Sequence, residues 1–152
     1  MSAGAKPYQK FLGGWMRIVS NAVSQRFARN LEASDMTVAE WVVLRMVYEC
    51  GPTVAPSDIA RSTGLTRGAV SKLVDRIIEK GLAVRTESKQ DRRYQEVKLT
   101  RKGKGAVPDL MRLARQTDDD FFSCLNASER TTLVRLLTKV AADHQLTDLP
   151  TD

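Results

Sequence analysis

The side chains with the clearest chemical use lie in two short segments, residues 66–80 and 88–94. The first segment carries hydroxyl and cationic groups at Thr66, Arg67, Gly68, Ser71, Lys72 and Arg76, with the glycine leaving a gap between them. The second places two guanidinium groups after a carboxylate, in the order Asp91, Arg92 and Arg93. Cationic side chains bind phosphates, and arginine can also donate two parallel hydrogen bonds to planar acceptors. The pattern therefore indicates polyanion binding.

The charge of the chain is concentrated around these two segments. The 152 residues carry a net charge of +6. Between Arg61 and Gly105 there are thirteen basic and five acidic residues, so this stretch carries +8 and the remainder carries −2. A basic middle between near-neutral ends favours a polyanion bound at one place, and the alternative is a solvated basic surface.

Turn and capping signals around the first segment predict a helix-turn-helix. Pro56 suits the first position of a short helix through Ser62, and Gly64 suits the turn after it. Thr66 can cap a second helix that runs to Lys80 and ends at Gly81. In that helix the apolar residues Val70, Leu73, Val74 and Ile77 form one stripe, so the cationic face must point away from the core.

A hairpin is predicted to follow the second helix. Leu82, Val84 and Thr86 are spaced two apart, with the charged Arg85 and Glu87 in the alternate positions, and Val97 and Leu99 alternate with Glu96 and Lys98 in the partner strand. Its tip would be residues 88–94, where we expect Asp91 to pair with a nearby arginine and fix the turn. Arg92 and Arg93 could then enter a minor groove, whose negative potential attracts guanidinium groups. The alternative is a charged, mobile hairpin tip.

The flanking segments are predicted to be helical. Apolar spacing predicts a helix from Pro7 to about Leu31, through Phe11, Trp15, Ile18 and Ala22. Thr37 and Glu40 form a capping box for a helix that ends at Gly51 and Pro52. A long helix opens at Thr100, with Pro108 as a site of kinking or division, and Asn126 and Ser128 are both candidate caps of a last helix.

The apolar stripes of the first helix and of the last two flank the basic region and must be buried somewhere. A two-fold interface would bury them and would place two basic lobes about 34–36 Å apart, one helical turn of DNA. We expect dimerisation segments at 1–35 and 105–146, a DNA-binding lobe at 36–104 and a disordered tail at 147–152. The fold class is mainly α with a small β-hairpin wing, as an obligate, interlocked dimer.

The exposed half of the helix at 66–80 has the composition of a major-groove reader. Arg67 could take guanine O6 and N7 bidentately, while Ser71 is small and could serve several bases. Gly68 has no side chain to keep the backbone away from DNA. Lys72 and Arg76 are better placed for phosphates. The alternative is an ordinary solvated helix face.

These residues carry a resemblance to a known family. The order Ser57-Asp58-Ile59-Ala60, Leu65-Thr66-Arg67, Val70-Ser71, Leu73-Val74-Asp75-Arg76, Glu79-Lys80-Gly81-Leu82, Asp91-Arg92-Arg93 and Leu99-Thr100-Arg101-Lys102-Gly103 resembles the MarR family of bacterial transcription regulators. The resemblance covers about residues 8–142 and is sharpest from 57 to 103. It implies a winged-helix homodimer on a pseudo-palindromic operator. The family's Asp-x-Arg wing pattern falls on Asp91 and Arg93, which makes Arg93 the first choice for the minor groove.

The resemblance also implies a repressor that a small, phenolic or anionic compound releases from DNA. By position, such an effector pocket would draw on the first two helices and the start of the fifth. Trp15 and Trp41 are its candidate aromatic residues, and Arg17 and Arg45 its candidate cations. Simple core packing of the tryptophans and solvated surface arginines are the alternatives.

Other function classes find little support in the chain. His144 is the single histidine, which argues against a histidine-rich metal site or a Ser-His-Asp triad, so we expect neither an enzyme nor a cofactor. Cys50 and Cys124 follow acidic residues, which disfavours redox sensing. No apolar run of membrane length and no signal peptide is visible, so we expect a cytoplasmic protein. The alternative function is a winged-helix protein-interaction module without specific DNA binding.

Overall fold

The computed structural model describes residues 10–146 and consists there of six helices and one β-hairpin. The helices are α1 (Leu12–Glu32), α2 (Val38–Glu49), α3 (Pro56–Thr63), α4 (Arg67–Glu79), α5 (Arg101–Phe121) and α6 (Ala127–Asp143). The strands are β1 (Ala83–Glu87) and β2 (Gln95–Leu99), paired antiparallel with Ala83 opposite Leu99. The predicted helical fold with a hairpin wing is confirmed. The expectations for residues 1–6 and 147–152 lie outside the described residues. Within residues 10–146 no helix is long and apolar enough to cross a membrane.

Side-chain caps decide where several helices begin. At α2 the Thr37 hydroxyl accepts from the Glu40 amide at 3.2 Å, and the Glu40 carboxylate accepts from the Thr37 amide at 2.8 Å. The same reciprocal pair forms at α6 between Asn126 and Glu129, so Asn126 rather than Ser128 is the cap. Both pairs satisfy amides that the first helical turn leaves without partners.

The first helix begins later than the expected start near Pro7, which itself lies outside the described residues. Phe11 has an extended backbone with φ −117° and ψ 145°, and its apolar side chain makes no capping hydrogen bond. Gly13 and Gly14 therefore fall in the first turn of α1. In a helix interior each of these glycines would cost about 1 kcal/mol relative to alanine.

The core lies where α2, α4, the hairpin and α5 meet. Val43, Leu44 and Val47 of α2 are buried against the α4 stripe that the sequence predicts, which consists of Val70, Leu73, Val74 and Ile77. Val97 of β2 and Val107 of α5 close the core from the other side. This packing holds α4 by its apolar stripe and leaves its polar side outward.

The hairpin differs from the expected alternation of Leu82, Val84 and Thr86. Leu82 and Ala83 are buried, whereas Val84 is 42% exposed. Leu82 belongs to the turn after α4, and β1 begins only at Ala83. Because successive strand residues point to opposite faces, Ala83 faces the core and Val84, opposite Lys98, faces outward.

Helix α5 is continuous through Pro108, so the proline does not divide it. Its first turn lies directly on the turn that precedes β1. A Cβ atom at Gly103 would lie 1.9 Å from the carbonyl oxygen of Leu82, so a glycine is required for this approach. At the other end of α5, the Asn30 amide of α1 donates to the Thr117 hydroxyl at 2.8 Å.

Apolar surface remains open at both ends of the chain. Within the described residues α6 buries no side chain, and the first half of α1 is also uncovered. The apolar residues of α6 and α1 that are at least about one third exposed are Leu133, Val134, Leu136, Leu137, Val140, Leu12, Trp15, Met16 and Val19.

Candidate nucleic-acid interface

Helix α4 is positioned by its N-terminal turn. Gly64 adopts the left-handed conformation with φ 72°, which lets the chain reverse between α3 and α4. The Thr66 hydroxyl then accepts from the Ala69 amide at 3.2 Å and caps α4. Before the turn, the Thr63 hydroxyl donates to the Ile59 carbonyl at 2.7 Å. The start of α4 is thus fixed by short-range hydrogen bonds.

The outward face of α4 presents the residues that the sequence singled out. All of them are exposed, namely Thr66, Arg67, Gly68, Ser71, Lys72 and Arg76. Within residues 10–146, no ion pair engages the cations of this face. A Cβ atom at Gly68 would meet nothing within 4 Å, so the fold of the free chain does not require glycine there. This face can therefore approach and bind an external polyanion.

The wing tip is ordered by hydrogen bonds within its turn. The Ser88 amide donates to the Tyr94 carbonyl at 2.9 Å, and the Tyr94 amide donates to the Asp91 carbonyl at 3.0 Å. Asp91 also accepts from the Arg93 amide at 3.0 Å and from the Arg93 guanidinium at 2.8 Å. Asp91 therefore holds both the backbone and the side chain of Arg93.

Arg93 and Asp91 also form an ion pair at the wing tip. The hydrogen bonds from Arg93 hold the pKa of Asp91 below its ordinary value, and the carboxylate in turn raises the pKa of Arg93. Although paired, Arg93 keeps 85% of its side chain exposed. Arg92 is also exposed and, among the described residues, belongs to no ion pair.

Polar contacts between elements tie the wing to the rest of the lobe. Arg85 of β1 donates to Asp75 of α4 at 2.6 Å. Val54 forms an isolated bridge with Val97, which adds one residue pair beside β2. The hydroxyls of Thr53 and Ser88 hydrogen-bond the Glu96 carboxylate and lower its pKa. These contacts set the direction of the wing relative to α4.

Helix α4 and the wing border one cleft of about 1150 Å³. Its lining includes Arg67 of α4, Pro56 of α3, and Asp91 and Tyr94 of the wing. The sequence reasoning missed Tyr94, which is 66% exposed beside the wing arginines, and the Asp75–Arg85 pair. An aromatic residue next to the arginine pair was a usable signal for Tyr94. For the ion pair, the sequence offers only two opposite charges ten residues apart.

The four residues expected at an effector pocket lie in different surroundings. Trp41 is packed in the core with 5% of its surface exposed, whereas Trp15 is 50% exposed on α1. Arg45 is exposed and donates to Glu49 of the next turn at 2.7 Å, while Arg17 is an exposed residue of α1. Within one chain, therefore, the tryptophans do not share a common environment.

Comparison with known proteins finds one family model that matches the segment from α2 to the wing tip. The model of the MarR family matches residues 34–93, from the turn before α2 to the wing tip. Wild-type MarR from E. coli in its apo form is similar, with 27% identity, a TM-score of 0.74, and 86% of this chain and 96% of that chain covered. BpsR from Bordetella bronchiseptica, whose DNA binding is regulated by 6-hydroxynicotinic acid, has 25% identity, a TM-score of 0.72, and 91% and 98% coverage.

A cysteine variant of E. coli MarR in complex with operator DNA has the same fold, with 24% identity, a TM-score of 0.72, and 90% and 99% coverage. The family match spans the helix-turn-helix and the first strand of the wing, and it ends at the wing tip. The structural similarity extends over the flanking helices as well. Residues 34–93 thus match the model of the MarR family, and the fold of MarR from E. coli covers 86% of this chain.

Proposed function

We propose that the protein is a homodimeric, sequence-specific regulator of transcription that binds double-stranded DNA. The observation that carries the proposal is the exposed polar half of α4, with its unpaired cations beside a wing that presents two arginines. An α-helix fits the major groove, and residues near the N-terminus of a recognition helix meet base edges. Specificity would come from Arg67 and Ser71, and phosphate binding from Lys72 and Arg76.

The wing supplies a second contact. Arg93, held by Asp91 and still largely exposed, is the residue proposed to enter the minor groove. Arg92 is free to reach a phosphate. The cleft between Arg67 and the wing would accommodate the sugar-phosphate strand that separates a major groove from its neighbouring minor groove.

Dimerisation would bury the apolar surfaces of α1 and α6. A chain with this much apolar side chain exposed on two helices needs a partner surface. A two-fold axis through a lobe made of residues 1–35 and 105–146 would present two DNA-binding lobes, residues 36–104, to successive major grooves of a pseudo-palindrome. The protein would act in the cytoplasm, where the free thiols of Cys50 and Cys124 stay reduced.

Regulation would follow from a small effector. We propose a repressor that an aromatic or anionic compound releases from DNA, as 6-hydroxynicotinic acid regulates DNA binding by BpsR. Trp15 and Arg17 of exposed α1 remain its candidate contacts. Trp41 and Arg45 would need rearrangement, because one is buried and the other is paired with Glu49.

Fluorescence anisotropy of a duplex from upstream of the protein's own gene tests the proposal. We expect tight binding that weakens steeply as salt rises, and much weaker binding to a scrambled duplex. Equal, weak binding to a panel of genomic duplexes would contradict sequence-specific regulation. Absence of binding even at low salt would instead support the protein-interaction module.

A further inference from the structure

A second group of cationic side chains lies on the outer side of the hairpin, away from the exposed polar face of α4. It is a cleft of about 490 Å³ between the hairpin and the start of α5, and we call it the hairpin–α5 cleft. Its lining consists of Val84, Thr86, Lys98, Leu99, Thr100, Arg101 and Lys104. We propose that this cleft binds a small phosphate monoester, a compact dianion that carries a carbon skeleton.

The charge of the cleft is one-sided. Lys98, Arg101 and Lys104 supply three cations, and no carboxylate lines the cleft. Among residues 10–146 none of the three forms an ion pair, whereas Arg85 on the opposite hairpin face is paired with Asp75. Neighbouring cations repel one another and favour a multivalent anion between them.

A hydroxyl group in the cleft also lacks a partner. The Oγ1 atom of Thr86 is buried and has no hydrogen-bond partner among the described residues. Buried polar atoms are normally satisfied, and an exception calls for an explanation. Because this atom is closed to solvent in the free protein, a phosphate oxygen could accept a hydrogen bond from it only once the Thr86 side chain rotates toward the cleft, where the cations would neutralise the phosphate charge.

The apolar part of the lining argues for an ester rather than for bare phosphate. Val84 is 42% exposed although it lies in a strand, and it lines the cleft beside Lys98. The volume of the cleft also exceeds what one inorganic ion fills. An exposed aliphatic side chain next to three cations suits a ligand with an apolar end and a doubly charged end.

DNA is a second source of phosphate, but the position of the cleft disfavours it. Thr100, at the start of α5, donates its hydroxyl to the Gly81 carbonyl at 2.7 Å, so the cleft adjoins the C-terminal end of α4. The proposed base-reading residues lie at the other end of this 13-residue helix, which is about 20 Å long. The site is therefore separate from the proposed base-reading residues, and its test does not depend on them.

Isothermal titration with phenyl phosphate, at constant ionic strength, tests the proposal on the full chain. We expect saturable binding that Arg101→Gln weakens by at least about tenfold, because one of three cations is lost. The matched control is Arg115→Gln, which removes one charge from the same helix outside the cleft and should leave the affinity unchanged.

Thr86→Val gives a sharper test, because it removes the buried hydroxyl and keeps the shape of the side chain. A hydroxyl without a partner costs stability in the free protein, so the variant should unfold at the same or a higher temperature while it loses phenyl phosphate affinity. A fall in the unfolding temperature would show that the hydroxyl has a structural partner and would overturn this part of the proposal.

Three other outcomes would overturn the proposal: no saturable heat, equal weakening by Arg115→Gln, or equal affinity for inorganic phosphate. Displacement of phenyl phosphate by duplex DNA would assign the cleft to the DNA interface instead. A wild-type protein that binds phenyl phosphate but no duplex would support the cleft and contradict the proposed function, so the two failures are distinguishable.

Discussion

Gly103 and Glu40 show how single residues hold α2, α4, the hairpin and α5 together. Gly103 allows the backbone of α5 to touch the turn before β1. Glu40 is only 2% exposed, caps α2 with its carboxylate and accepts from the Lys80 ammonium at 2.9 Å. Lys80 is the C-cap residue of α4, so the Glu40 carboxylate links the first turn of α2 to the C-terminal end of α4.

Gly103→Ala should destabilise the protein by about 1–3 kcal/mol, because its methyl group would collide with the Leu82 carbonyl and force the backbones apart. Gly105→Ala is the control in the same helix, since a Cβ atom there meets nothing within 4 Å. It should be neutral or stabilising by up to about 1 kcal/mol. Urea denaturation at a fixed protein concentration measures both, and equal effects would contradict the steric argument.

Glu40→Gln should lower the free energy of unfolding by about 1–3 kcal/mol near neutral pH, because Lys80 loses the buried carboxylate of Glu40 as its partner. Burial raises the pKa of Glu40, but the hydrogen bonds from Thr37 and Lys80 outweigh this effect and bring the pKa below its ordinary value of 4.5. A lowered folded-state pKa gives stability that is present above 4.5 and is lost as the pH falls through the folded-state value.

Denaturation of wild type and Glu40→Gln near pH 7 and at about pH 3 tests this sign, since the difference between the two proteins should shrink in acid. Glu49→Gln is the control, because Glu49 forms an exposed pair with Arg45 whose loss should cost less than about 1 kcal/mol. A difference that grows in acid would show that the pKa of Glu40 is raised.

Arg67→Ala should weaken operator binding by about 1–3 kcal/mol and relax the base preference at one position of each half-site. Lys72→Ala provides the contrast. Loss of a phosphate contact should weaken binding to all DNA sequences alike and lower the salt dependence of the affinity by about one unit of slope. Anisotropy titrations against operators with single base changes separate the two. An unchanged base preference in Arg67→Ala would exclude Arg67 from base reading.

At the scale of elements, the direction of the wing relative to α4 decides whether both grooves can be reached together. Val97 packs the hairpin into the core, and Asp75 holds Arg85 at 2.6 Å across the junction between α4 and β1. The pair is about half exposed at Asp75, so its effect on stability is small, but it restrains the angle of the hairpin.

Asp75→Asn should therefore leave the unfolding free energy within about 1 kcal/mol and still reduce DNA affinity a few-fold, because the wing is less well oriented. In hydroxyl-radical footprinting, the variant should no longer protect the minor groove. In methylation footprinting, it should still protect guanine N7 in the major groove. Asp109→Asn removes an exposed pair with Arg112 within α5 and serves as the control. Equal loss of both protections would argue against wing positioning.

At the scale of the whole molecule, α6 buries none of its side chains within the part of the chain that the structure describes. Its apolar residues lie on one side, with Leu133, Leu137 and Val140 in line. The core that the structure describes contains no residue of α6, so loss of the dimer should leave a folded chain that binds a single half-site weakly.

Leu137→Asp should convert the dimer to a monomer, because a carboxylate in a closed apolar interface loses its hydration. Thr138→Asp adds the same charge on the polar side of α6 and should leave the dimer intact. Sedimentation at several concentrations measures the association, and operator titrations should lose affinity in step. A dimeric Leu137→Asp protein would place the interface elsewhere.

Local signals were sufficient for most of the elements. The capping pairs at Thr37 and Asn126, the cap at Thr66 and the left-handed glycine at position 64 each act within a few residues, so sequence spacing identifies them. The outward face of α4 followed from the apolar stripe, because a helix with one buried side has its other side in solvent.

Tertiary structure decided what joins one element to another. The Glu40–Lys80 and Asp75–Arg85 pairs, the approach of Gly103 to Leu82 and the outward turn of Val84 depend on where whole elements meet. A sequence offers many opposite charges and several glycines, and only packing selects which of them come within contact distance. The sequence by itself thus determined helix α4 with its exposed polar face, and the hairpin that follows it. The angle between α4 and the hairpin, and the existence of the hairpin–α5 cleft, arose from the packing of β1, β2 and α5.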